Sequence, residues 1–187
     1  MAKKWKGKDW YAILAPKMFH EIQVAETPAT DPAQIIGRTV EVSAAELVAE
    51  NPKPHMKVYF EVTSVDGKRA FTRFSGFELS NDYIFRMTRK RTSKLMIHHY
   101  VETKDKWRLQ VTLITVLNRK AEAEIKTGFR KYAEKFLSDF AGQTSIDDFL
   151  RAVIDEAVQQ HLKKYGSKIY PVRFNEVSKI EVVKAGS

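Results

Sequence analysis

The chain has 187 residues, long enough for one sizeable core and too short for two ordinary domains with a linker. Apolar residues make up 43%, so it can fold, and 32 Lys+Arg against 23 Asp+Glu leave a net charge of +9, an excess that nucleic acid most commonly neutralises. With no cysteine, disulfides, thiolate catalysis, zinc ribbons and iron–sulfur ligation are excluded; with no apolar run long enough for a signal peptide or a bilayer crossing, a cytoplasmic protein is expected.

Residues 1–8 form a basic arm, with Lys3, Lys4, Trp5, Lys6 and Lys8 and too little apolar surface to fold alone. A single domain is expected over 9–187, opening with Trp10, Tyr11, Ile13, Leu14 and Phe19 as its first packed residues. From Trp10 to Leu117 the hydrophobic period is mostly two, which favours strands. Val58, Phe60 and Val62 alternate with Tyr59, Glu61 and Thr63 up to Asp66-Gly67, a pair that accepts positive φ in a tight hairpin, so Arg69 to Leu79 is expected to return antiparallel. Leu95, Ile97, His99 and Val101 alternate similarly, turn at Lys104-Asp105, and return through Trp107, Leu109, Val111 and Leu113. Ile114 and Val116 add apolar groups on the second face of that strand, so something is expected to pack there.

Segments 26–34 and 50–55 each carry two prolines, which remove ladder donors and restrict the preceding residue, and both read as loops. The expected fold is therefore α+β. An antiparallel β-barrel-like core spans about residues 10–117, with a sandwich as the alternative; a helical part follows over 119–165 and a C-terminal strand over 168–184. In the helical part, Ile125, Phe129, Tyr132, Phe136 and Phe140 form one stripe, with Asn118 as its expected N-cap and Gly142 as its terminator. Ser145 with Asp148 resembles a capping box for a second helix whose buried face is Ile146, Leu150, Val153, Ile154 and Ala157, closed by Gly166.

Basic residues gather in four places: the arm, then Arg86, Arg89, Lys90, Arg91 and Lys94, then Arg119, Lys120, Lys126, Arg130 and Lys131, and finally Lys163-Lys164 with Lys168. The second group lies between two strands and reads as a projecting loop or strand end. Guanidinium and ammonium groups there suit phosphate oxygens, and Trp5 beside the arm lysines suits stacking on an unpaired base. Any such run can also be plain solvated surface, and for Lys163-Lys164 an answer to the helix dipole is the better reading. The arm and the 86–94 group have no local acidic complement, and RNA is expected on them. Trp10, Trp107 and the phenylalanine stripe are expected inside.

No metal site is expected. Adjacent strand residues His98 and His99 point to opposite faces, His161 reads as a packed boundary residue, and His20 and His55 have no ligand partners in sequence. No glycine-rich phosphate loop, serine elbow or helical zinc motif is present, and capping explains Asp147-Asp148. Neither an enzyme nor a cofactor or small-molecule substrate is expected, and the basic residues do not line one face of an amphipathic helix as membrane binding would need.

Several blocks of this sequence are similar to one family. Lys8-Asp9-Trp10-Tyr11 with Ala15-Pro16-Lys17-Met18-Phe19, then Gly37-Arg38 with Glu41-Val42-Ser43 and Ala45-Glu46-Leu47, then Phe74, Gly76, Leu79 and Asp82, and last Ile169-Tyr170-Pro171, come in matching order and spacing. They resemble the archaeal and eukaryotic small-subunit ribosomal proteins of the S-three-Ae type, also called the eukaryotic S-one type. Glu46 stands where the family often has Asp and Asn81 where a basic residue is common. The end at Ser187, without the long basic tail of eukaryotic members, implies an archaeal form. The resemblance implies a structural constituent of the small ribosomal subunit. It would be bound to ribosomal RNA on the platform near the messenger RNA exit, with neighbouring platform proteins and the messenger RNA itself as partners. The alternatives are a free RNA-binding regulator or chaperone, and an RNA-modifying enzyme.

Overall fold

A computed structural model of the chain describes residues 7–47 and 53–186. The protein is α+β, and its backbone divides into two compact units, residues 1–76 and 77–187.

The first unit is built from β1 (Asp9–Leu14), β2 (Gln23–Ala29), β3 (Thr39–Ser43), the short helix α1 (Ala44–Leu47), β4 (Met56–Asp66) and most of β5 (Arg69–Leu79). β4 and β5 have the expected bounds and meet at Gly67, whose φ of 57° is the conformation that glycine adopts without steric cost. Met56, Val58, Phe60 and Val62 are buried along one face of β4, and the Phe60 ring meets Phe19 edge-on at 5.7 Å. Tyr11, Ile13, Ala29, Ile35, Val62 and Ala70 form a second part of this core.

Three expectations fail here. Pro28 lies inside strand β2, which is tolerated because among the described residues β2 is an edge with only β1 beside it; Pro32 opens a 3-10 turn at Pro32–Gln34. Of the second proline segment, 50–52 lies outside the described residues, and 53–55 is non-strand. β1 pairs with β5 in parallel, through Ala12–Leu14 and Arg69–Phe71, so the strands are not all antiparallel. Trp10 is 57% exposed, because strand alternation turns it away from buried Tyr11 and Ile13.

The second unit holds the last residues of β5, then α2 (Asn81–Met87), β6 (Ser93–Glu102), β7 (Arg108–Leu117), α3 (Ala123–Gln143), α4 (Ile146–Ile154), α5 (Ala157–Gly166) and β8 (Val172–Lys184). β7 lies antiparallel between β6 and β8 and is buried continuously from Val111 to Leu117, so both its faces are covered. Among the described residues β2 has only β1 beside it, β3 only β4 and β6 only β7; the expected barrel-like core is therefore open rather than closed.

The helices also differ from the sequence reading. Asn118 is not a cap: its N–H donates to Pro171 O at 3.1 Å, and α3 starts after Glu122. The buried line of α3 is Phe129, Ala133, Leu137 and Ala141, one step round from the expected stripe, because its phenylalanines are shared with a neighbouring helix: Phe136 stacks on His161 of α5 at 4.2 Å. The second helix is two, α4 and α5, separated at Glu156 with φ 63°, which leaves Ala157 exposed. Ser145 does cap α4, accepting from Asp148 N at 3.2 Å while its hydroxyl donates to Asp148 Oδ2 at 2.8 Å.

Gly166 remains helical at the end of α5 and lets the Phe129 ring of α3 lie against its backbone; a methyl group there would run into that ring. Gly166→Ala is expected to destabilise the fold by about 1–3 kcal/mol through overpacking. The measurement is urea unfolding followed by circular dichroism, and a midpoint equal to that of the parent chain contradicts this packing.

Candidate nucleic-acid interface

Strand register gathers basic segments that are far apart in sequence. Ser93 at the start of β6 faces Leu117 at the end of β7, and Leu117 in turn faces Val172 at the start of β8. Whatever precedes β6, follows β7 or precedes β8 therefore emerges at one end of this sheet. Those segments are Arg89-Lys90-Arg91, Arg119-Lys120 and Lys168 to Pro171. α3 begins at this end, with Lys126 in its first turns, and α5 terminates there with Lys163 and Lys164 in its last turn. Besides the Asn118–Pro171 bond, Ala121 N donates to Ser93 Oγ at 3.0 Å and the Tyr170 hydroxyl to Lys120 O at 3.2 Å, so the segment carrying Arg119 and Lys120 is tied on both sides.

The 86–94 group is not one loop. Arg86 sits in the last turn of α2, Lys94 is on β6, and only 88–92 form the turn between them. That turn is closed by Thr88 N to Phe85 O at 3.2 Å, and by Thr92, whose N–H and hydroxyl both reach Arg89 O, at 3.3 and 2.6 Å. Arg91 takes φ 69°, in the left-handed region that non-glycine residues seldom occupy, so this short turn holds three consecutive cationic residues. Arg86, Arg89, Lys90, Arg91, Lys94, Arg119 and Lys120 are exposed. Arg130 and Lys131 are exposed about 10 Å along α3 from its first residue, flanking this end, and Lys126 is half-buried. Lys8 is exposed ahead of β1 in the first unit; Lys3, Lys4, Trp5 and Lys6 lie outside the described residues.

Among the described residues none of the cations named from Arg86 to Lys131 forms an ion pair, whereas Lys57, Arg73 and Arg108 are paired with Glu41, Glu61 and Glu102. Glu122 and Glu124 are the acids at the start of α3. An end with this surplus of cations suits a polyanion, arginine offering a planar two-pronged donor and lysine a point charge.

Sequence reasoning assigned Lys163 and Lys164 to the helix dipole and did not join them to this end; they are also ring-bound, Lys163 Nζ 6.0 Å from the Phe174 ring and Lys164 Nζ 5.9 Å from that of Tyr165. Lys168 Nζ is closer still to Tyr165, at 4.7 Å, and the Tyr165 ring stacks on His161 at 4.4 Å. No local signal marks this meeting, which follows from α3 and α5 running in opposite senses.

Other chemistry has structural explanations. His98 Nδ1 contacts Thr112 Oγ1 at 2.9 Å and His99 Nε2 contacts Ser138 Oγ at 2.8 Å, on opposite faces of β6 as alternation requires. Among the described residues no group of three or more histidines and carboxylates is placed to hold a metal ion. At the start of α4, Asp148 belongs to the cap and Asp105 Oδ2 accepts from Ile146 N at 3.2 Å. Partial burial raises the Asp147 carboxyl above its ordinary range; Arg151 opposes that shift, and Asp148 and Asp105 add to it.

Compared with known proteins, the chain matches the Ribosomal S3Ae family over residues 1–186. Small ribosomal subunit protein eS1 of Methanopyrus kandleri is 35% identical over 97% of this chain and 88% of its own length. The protein of the same name from Desulfurococcus amylolyticus is 31% identical over 96% and 84%, and that from Saccharolobus islandicus 36% identical over 97% and 87%.

Ser93 is the anchor most easily removed. Ser93→Ala is expected to cost about 1 kcal/mol locally and to speed exchange of the Ala121 amide roughly fivefold, read by hydrogen exchange. Unchanged exchange at Ala121 contradicts the anchoring of the Arg119-Lys120 segment.

Proposed function

The chain belongs to the Ribosomal S3Ae family, and from that membership we propose that it is a structural constituent of the small ribosomal subunit, bound to ribosomal RNA through the cationic end of its second unit. Its role is structural rather than catalytic, and its compartment is the cytoplasm, on the ribosome. The observation that carries the RNA-binding part is the gathering of Arg89, Lys90, Arg91, Arg119 and Lys120 at one sheet end without ion-pair partners among the described residues. Cations held together this way repel one another, and phosphate relieves the repulsion while releasing counterions.

The mechanism is scaffolding. Phosphates of an RNA helix or loop are neutralised and held in place, and the rest of the surface is left to neighbouring subunit proteins. The arm, with Lys3, Lys4, Trp5, Lys6 and Lys8, adds a second phosphate-directed element. A position on the platform near the messenger RNA exit, beside platform proteins and within reach of messenger RNA, is what the family resemblance implies.

The triple variant Arg89→Ala, Lys90→Ala, Arg91→Ala tests the reading. Its affinity for small-subunit RNA is expected to fall, and the slope of log affinity against log salt to shrink by about 2 to 3. An unchanged affinity and slope across a salt series removes these residues from the interface. A parent chain that binds many RNAs but never co-sediments with small subunits indicates a free RNA-binding regulator instead.

A further inference from the structure

The face of β6 and β7 turned away from α3 carries a groove of about 330 Å³, within the size range of sites that enclose small organic groups. Met96 of β6 and Gln110 and Ile114 of β7 line it, Phe85 and Asn81 of α2 form one side, and Lys94 lies at the end nearest the basic turn. Isolated exposed apolar residues are ordinary. Here Phe85, 69% exposed, and Met96, 46% exposed, converge on one depression, and Tyr100 continues the same face of β6 at 65% exposure.

Polar groups in the groove add a second kind of signal. Among the described residues the side-chain amides of Asn81 and Gln110 make no hydrogen bond, and each offers both donors and an acceptor. Lys179 and Glu181, also on the lining, neutralise each other in an ion pair of 2.7 Å, and Glu78 offsets Lys94. The groove is thus close to neutral, while the chain beside it carries Arg86, Arg89, Lys90 and Arg91.

A flat apolar ring with polar edges, joined on both sides to phosphates, fits this division of surface. We propose that the groove takes an unpaired base of an RNA strand, stacked on Phe85 and Met96 with its edge toward Asn81 and Gln110, while the flanking phosphates lie on Arg86, the 89–91 turn and Lys94. The inference rests on the RNA-binding reading above and adds to it a single-stranded target at a stated place. A protein segment would also fill an apolar groove, but it gives no reason for the bordering Arg86, Arg89 and Arg91, which form no ion pair among the described residues. Base stacking on an aromatic side chain tolerates any sequence, so the site selects for unpaired structure before it selects for base identity.

The test compares the intact chain with Phe85→Ala and Phe85→Trp, using fluorescence anisotropy with a labelled single-stranded RNA and an RNA duplex of equal length. Phe85 is exposed, so neither variant disturbs the core, and matched melting curves check this. Phe85→Ala is expected to weaken single-strand binding roughly 5- to 100-fold with an unchanged salt slope and unchanged duplex binding, and Phe85→Trp to restore it. Equal weakening for both RNAs overturns the groove. So does unchanged single-strand binding by Phe85→Ala while the 89–91 triple variant loses it, an outcome that leaves the RNA-binding reading standing. Failure of the unsubstituted chain to bind either RNA defeats that reading first. A photoreactive group at position 85 that crosslinks to protein rather than RNA in assembled subunits assigns the groove to a protein segment and overturns the proposal.

Discussion

β7 is buried on both faces from Val111 to Leu117, and a strand covered on two sides cannot slip by one residue without turning every side chain to the wrong face. That constraint sets the register of β6 on one side and β8 on the other, and the register determines which chain segments emerge together. The Arg89–Arg91 turn, the Arg119-Lys120 segment and the Lys168 to Pro171 segment share one end of the sheet because Ser93, Leu117 and Val172 lie in line across three strands. Hydrogen bonds from Asn118 to Pro171 and from Ala121 to Ser93 then tie the second of these to the third and to the start of β6, just after the Arg89–Arg91 turn. The proposed interface is therefore a consequence of core packing, although hardly any of its own residues are in the core.

On the proposed reading, the chain keeps a concentration of cations that weakens the free fold and is relieved by its partner. Anything that binds only the folded form stabilises it by mass action, so RNA and fold support each other. The paired cations elsewhere show the contrast. Lys57 and Arg73 in the first unit meet Glu41 and Glu61 across neighbouring strands, an arrangement in which each charge already has its complement.

Much of this architecture was legible in the sequence, where the signals are local. Strict alternation and Asp66-Gly67 gave β4 and β5 their bounds, the Lys104-Asp105 turn separated β6 from β7, and Ser145 with Asp148 marked the start of α4. What was not legible depends on neighbours. Pro28 fits in a strand because among the described residues no strand lies outside β2, and the break between α4 and α5 rests on Glu156 taking a left-handed conformation that no glycine announced. α2 is too short for periodicity to show. Periodicity read over the whole segment points Trp10 inward, but adjacent strand residues face opposite ways, and with Tyr11 buried it is Trp10 that is exposed. For the site, the basic runs were readable one by one. Their meeting was not, since Arg89 and Arg119 are brought together by pairings between residues far apart in the chain. The groove beside α2 was out of reach for the same reason: Phe85, Met96 and Gln110 come from three elements.

Ultraviolet crosslinking of purified small subunits that contain this chain, with the crosslinked peptides identified by mass spectrometry, locates its RNA contacts. RNA is expected on peptides within residues 86–94 and 119–131. Crosslinks that fall only on the first unit, or on no part of the chain, rule out the cationic end of the second unit as the RNA interface.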